Sequence, residues 1–138
     1  MKEQFTQRLK KIEEKKKKKL PENFSSDWQW GYFNTSPNNE FSQNEVEKLV
    51  KPCRELLSLG GKRWRPLLQV LCAEYVLLNS EKSQDHSTKN IMLDNAYNLV
   101  PLVEFVHTAS LIHDDIEDGA DTRRGKPATH ITYGVDVA

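Results

Sequence analysis

At 138 residues, 37% hydrophobic and 29% charged, the chain is long enough for one modest domain with a core of its own. Its formal net charge is zero, but residues 1–20 hold nine Lys or Arg against three Glu (+6), while the remaining 118 hold eleven against seventeen (−6). No stretch approaches the ~18 apolar residues of a transmembrane segment, and the basic N-terminus is too poor in apolar residues for a signal peptide.

The lysine run Lys15–Lys19 reads as a solvated, poorly ordered end rather than as a contact for anionic lipid or nucleic acid. Residues 21–41 mix aromatics with Asn, Ser, Pro and Gly without helical period, so 1–41 is predicted to be a basic, mostly irregular N-terminal segment. Its Trp28, Trp30, Tyr32 and Phe33 are expected to pack against the body rather than hold a ligand. Ser42-x-x-Glu45 is a capping-box start, followed by a helical apolar stripe at Val46, Leu49, Val50, Cys53, Leu56 and Leu57. Gly60-Gly61 stops that helix, and Pro52 predicts a kink or break within it.

Gly60 to Pro66, GGKRWRP, is a glycine turn, three cations and a proline suited to the first turn of the next helix. The basic residues thus fall at a helix N-terminus, where backbone N–H groups and the helix dipole favour an anion. Leu67–Leu78 is apolar on most sides and is expected to be buried; Asn79–Lys89 reads as a polar loop with His86 exposed. From about Ile91 a helix runs through Leu99, Leu102, Val103 and Val106 towards a group of aspartates, with a kink at Pro101. Cys53 and Cys72 lie on apolar stretches without metal-ligand spacing, which reads as buried free thiols in a reducing cytoplasm.

The chemistry concentrates in His107–Pro127, HTASLIHDDIEDGADTRRGKP. At about 3.6 residues per turn, Asp114 and Asp118 share a helix face, with Asp121 continuing the row if the helix lasts so far and His107 about two turns earlier. Asp114, Asp115, Glu117 and Asp118 repel one another, so a cation is expected among them. Oxygen-only ligands suit Mg²⁺, or Mn²⁺, which binds few carboxylates and completes its shell with phosphate oxygens. Arg123, Arg124 and Lys126 supply matching cations for phosphate. His113 reads either as a core histidine or, with Asp114, as the HD pair of a metal-dependent phosphohydrolase, which leaves both basic motifs unexplained.

LIHDDIEDGADTRRGKP resembles the first aspartate-rich motif of the trans-type (E)-polyprenyl diphosphate synthases, and GGKRWRP resembles the same family's GGKRxRP motif. The two occur in the family's order at about the family's distance, and the resemblance runs from roughly Glu45 to Ala138. It implies an all-α fold in which 42–138 is the N-terminal portion of the synthase domain, contributing the first helices of a barrel incomplete in this chain. The family's second aspartate-rich motif does not occur in these 138 residues, so the chain is expected to be inactive alone.

By resemblance, Mg²⁺ is held by Asp114 and Asp118, with Asp115 in support, and Arg123 faces the diphosphate of an allylic substrate. Lys62, Arg65, His107 and Arg124 hold isopentenyl diphosphate, and Ala109 and Ser110 line the product tunnel. Both tunnel residues are small, which implies products of about twenty carbons or more. A homodimer is implied for the complete enzyme. The alternatives are a non-catalytic or regulatory partner of a heteromeric synthase and the HD-type phosphohydrolase.

Overall fold

The computed structural model describes residues 2–33, 41–80 and 85–138. Its element order is α1 (Lys2–Lys19), α2 (Ser26–Phe33), α3 (Gln43–Ser58), α4 (Trp64–Asn79), α5 (His86–Glu117), β1 (Thr122–Arg123), β2 (Lys126–Pro127) and α6 (Thr129–Tyr133). The all-α expectation holds, β1 and β2 forming no more than a two-rung antiparallel hairpin. Two compact units are present: α1 with Gly60–His107, and Leu20–Leu59 with Thr108–Ala138.

The first unit corrects the expectation of an irregular N-terminus. Phe5, Leu9, Ile12 and Lys16 fall at helical spacing, and the lysines of the last turn complement the helix dipole. Ile12 is fully buried in a cluster with Leu67, Val70, Tyr97 and Val100, on which Leu93 also packs. Burying one such side chain is worth about 1.5–3 kcal/mol, enough to fix a helix of marginal intrinsic stability. Ion pairs flank the contact: Arg8 donates to Glu74 at 2.6–3.1 Å, and Lys15 to Asp94 at 3.0 Å. Lys11 stands over the Tyr97 ring at 4.1 Å.

Helix α4 is less buried than its composition suggests. Pro66, Leu67, Val70 and Leu77 turn inward, whereas Leu68, Leu71, Tyr75, Val76 and Leu78 are exposed. Helix α5 starts five residues earlier than predicted, because the Asp85 carboxylate accepts from the backbone N–H groups of Ser87 and Thr88 at 3.2 and 2.9 Å. His86 is exposed as expected. Pro101 is accommodated within one continuous helix, as is Pro52 within α3, so neither proline breaks its helix. Cys53 and Cys72 are free but exposed, since each projects from the outward side of its helix.

In the second unit the capping box forms as predicted: Glu45 N–H donates to Ser42 Oγ at 3.3 Å and Ser42 N–H to Glu45 Oε2 at 2.8 Å. Helix α3 ends at the Gly60-Gly61 turn, whose glycines have φ of 83° and 146°. Residues 26–33 are helical rather than irregular, with Ser25 Oγ accepting from Trp28 N–H at 3.2 Å. Phe24 is buried with Val46 and Val50, and Leu20 and Trp28 pack on them, the Phe24 and Trp28 ring centroids lying 4.6 Å apart. The predicted packing of Trp30, Tyr32 and Phe33 concerns side chains outside the described residues.

Candidate diphosphate and metal site

Lys62, Arg65 and His107 belong to the first unit, and Asp114, Asp115, Asp118, Arg123 and Arg124 to the second. In the first, three left-handed backbone positions, Gly60, Gly61 and Arg63 (φ 51°), bend the basic motif into the start of α4. Pro66 falls in the first turn, where a missing N–H costs nothing. Lys62 is exposed. Arg65 is half-buried, its guanidinium 4.6 Å from the ring centre of the exposed Trp64 and its Nη1 3.0 Å from His107 Nε2. Two residues 42 positions apart, assigned to one substrate by resemblance, thus meet. An arginine at this distance favours the tautomer in which Nε2 is the acceptor.

Arg63 has a different environment. Its Nε donates to Glu13 Oε1 at 2.6 Å, and its Nη1 to Gly60 O at 3.1 Å and Glu104 Oε2 at 3.2 Å. Burial works to raise the Glu13 pKa, but hydrogen bonds from Arg63 and Lys16 outweigh it and hold the carboxyl below its usual range. Burial in turn pushes the Lys16 ammonium down, against its hydrogen bond to Glu13. Glu13 and Glu104 were not singled out by sequence. The available signal was one acid, Glu104, inside the apolar run LVEFV.

In the second unit α5 ends in a Schellman arrangement. Ala120 N–H donates to Asp115 O at 2.9 Å and Gly119 N–H to Ile116 O at 3.3 Å, with Gly119 at φ 61°. The helix ends at Glu117, so Asp121 does not continue the row of Asp114 and Asp118; Asp121 O instead accepts from Ala128 N–H at 2.9 Å. The following hairpin turns on Arg124 (φ 53°) and Gly125 (φ 76°), consecutive left-handed residues of the kind that suit a two-residue hairpin. The hairpin brings Arg123 back onto the helix end.

Arg123 Nε donates to Asp115 Oδ1 at 2.7 Å and its Nη2 to Asp114 Oδ2 at 2.9 Å and again to Asp115 Oδ1. Hydrogen bonding to Asp115 raises the Arg123 pKa against a desolvation that lowers it. Asp115 is fully buried, and its Oδ2 has no hydrogen-bond partner. Asp114, Glu117, Asp118 and His113 are exposed, as are Ala109 and Ser110. Arg124 reaches Leu56 O at 3.4 Å. Among the described residues no group of three or more His, Cys, Asp or Glu is arranged to hold a metal. Exposed carboxylates such as Asp114 and Asp118 are donors of the type that suits a hard cation, whereas the Asp115 oxygen without a partner is buried.

Lys126 also lines a cavity of about 390 Å³ with Pro52, Leu56, Thr129 and Tyr133. There burial and a hydrogen bond to Glu55 push the Tyr133 phenol up to about 12. None of the described helices is long and apolar enough to cross a membrane.

A family model described as polyprenyl synthetase matches residues 46–138. The chain belongs to the polyprenyl synthetase family. Family membership displaces the reading of His113-Asp114 as a phosphohydrolase pair. A geranylgeranyl diphosphate synthase of Methanosarcina mazei is 41% identical over 88 residues, which make up 64% of this chain and 23% of the relative. The short chain isoprenyl diphosphate synthase of Methanocaldococcus jannaschii is 39% identical over 92 residues, 67% of this chain and 24% of the relative. A chloroplastic geranylgeranyl pyrophosphate synthase of Capsicum annuum is 44% identical over 96 residues, 68% and 22% respectively. The chain therefore spans about a quarter of the length of these polyprenyl synthetase relatives. No solved structure matches it.

Proposed function

We propose that the chain supplies the isopentenyl diphosphate loop and the first aspartate-rich motif of a prenyl diphosphate synthase. The observation that carries this reading is the contact between Arg65 of the basic loop and His107 of α5. Lys62 offers an exposed point charge three residues before Arg65, and the family resemblance assigns Arg124 to the same ligand. On the allylic side Arg123 binds the second diphosphate, while Asp114 and Asp118 hold Mg²⁺. Mg²⁺ held there would supply neutralisation of the charge on a leaving diphosphate.

The chain's own residues do the rest by position. Arg123 is anchored on Asp115 before substrate arrives, so its charge needs no reorganisation as negative charge grows on the leaving group. Lys62, Arg65, His107 and Arg124 hold isopentenyl diphosphate so that its double bond attacks the allylic cation. A proton is then lost to the released diphosphate, and the chain is longer by five carbons. Ala109 and Ser110 leave room for a product of about twenty carbons or more, and the complete enzyme is a homodimer. The two free thiols fit a reducing cytoplasm.

Residues 42–138 form the N-terminal portion of the domain, and the fragment lacks activity for want of the second aspartate-rich motif. The test is an assay with Mg²⁺, radiolabelled isopentenyl diphosphate and a panel of allylic diphosphates, with the chain alone and after adding a polypeptide that carries the second motif. Elongated product in the mixture is expected. Product absent from both, with no binding of isopentenyl diphosphate by calorimetry, overturns the proposal. The second reading is a non-catalytic partner subunit that works with another polypeptide. Co-purification of a second, catalytically complete chain would identify that case.

A further inference from the structure

The middle cation of GGKRWRP is turned away from the duty of its neighbours. Lys62 is exposed and Arg65 half-buried against His107, but the Arg63 side chain is 9% exposed. Its guanidinium spans two helices and its own loop: Glu13 on α1, Glu104 on α5 and the carbonyl of Gly60. Lys16 closes the series from the far side, donating to both Glu13 oxygens at 3.0–3.1 Å, with 6% of its side chain exposed. Lys16, Glu13, Arg63 and Glu104 alternate in sign, so the network is neutral and each charge meets an opposite partner. Arg63 also holds a left-handed backbone conformation (φ 51°), which a non-glycine residue keeps only where its surroundings impose it. Glu104 lies one helical turn before His107 on α5.

We infer that Arg63 is a positioning residue rather than a diphosphate ligand, and that Glu13 of α1 holds it so that Lys62 and Arg65 are presented to isopentenyl diphosphate. The N-terminal helix, which lies outside the residues matched by the family model, thereby belongs to the machinery of the substrate loop. Removing the Glu13 carboxylate takes away the partner of Arg63 on α1, keeps its bonds to Glu104 and to the Gly60 carbonyl, and releases the loop on its α1 side. Losing a charge-assisted hydrogen bond of this kind corresponds to about a tenfold change in an equilibrium.

The inference rests on the proposed function for its ligand but not for its loop, and two readouts on the full chain separate them. Amide hydrogen exchange in Glu13→Gln should quicken about tenfold at Leu67, whose N–H donates to Arg63 O at 3.1 Å, with the Val70–Leu77 and Tyr97–Val106 amides unchanged. Calorimetry should show isopentenyl diphosphate binding about tenfold more weakly, with Glu13→Asp recovering part of the loss. Arg63→Gln should match Glu13→Gln, and the double variant should be no weaker than Arg63→Gln. If Glu13→Gln melts α1 as a whole, Glu104→Gln tests the same anchor from α5. Unchanged Leu67 exchange in both carboxylate variants overturns the inference, as do fully additive losses in the double variant. If wild type and Lys62→Ala bind isopentenyl diphosphate equally, the ligand assignment fails, and the exchange data still decide the role of Glu13.

Discussion

Asp115 and Arg123 form an unequal pair. The aspartate is fully buried with one oxygen already without a partner, while about a quarter of the arginine side chain is exposed. Arg123→Ala leaves a buried carboxylate without its donor and should cost about 3 kcal/mol, whereas Asp115→Ala lets the guanidinium turn to water and should cost about 1 kcal/mol. Urea denaturation of both variants measures the order, and the reverse order would mean that Arg123 is not the anchor described. Glu13 sets a pH dependence. Its folded pKa lies below its unfolded value, so its stabilisation is complete above the unfolded pKa and is lost as pH falls through the folded one. Acid unfolding below about pH 4 should therefore be less steep in Glu13→Gln than in wild type. On the proposed reading Ala109 lines the product tunnel, so Ala109→Phe in a complete enzyme should shorten the product, and unchanged chromatograms would remove Ala109 from the tunnel.

At the scale of elements, α1 and α3 are held by different means. Helix α3 carries its own start signal, since Ser42 and Glu45 cap each other over three residues; Ser42→Ala should lower stability by about 1 kcal/mol in thermal denaturation. Helix α1 depends on what it meets. Its lysines are ordinary helix formers, but the element is fixed by Ile12 among Val70, Tyr97 and Val100 and by ion pairs from Arg8 and Lys15. Ile12→Ala should cost about 2–5 kcal/mol and lower the helical circular dichroism beyond what one substitution removes. Little change would mean that the helix stands without its anchor. The capping box and the Gly60-Gly61 stop could be read from sequence because each acts over a few residues. The docking of α1 could not, because Glu74, Asp94 and Tyr97 lie more than sixty residues away in the chain.

For the whole molecule, the exposed faces matter most. Leu68, Tyr75, Val76 and Leu78 of α4 and Ile91, Leu99, Leu102 and Val106 of α5 are large, apolar and open. Exposed apolar side chains in this number favour association, so the isolated chain should self-associate as concentration rises. Size-exclusion chromatography over a concentration series tests this, and a compact monomer throughout would contradict it. The near-continuous apolarity of α4 suggested burial from sequence, but composition records what a helix can bury and not whether a neighbour is present.

The sequence by itself determined the helical class, the family, the capped start of α3 and the order of acids and bases, because these depend on residues close together or on motifs that keep their spacing. The tertiary structure decided which cation of GGKRWRP meets His107 and which is pinned by Glu13 and Glu104. It also decided that Asp115 is buried against Arg123 while Asp114 and Asp118 stay exposed. Neighbouring arginines look alike in a motif; the backbone turn at φ 51° and the acids waiting on other helices give them different partners.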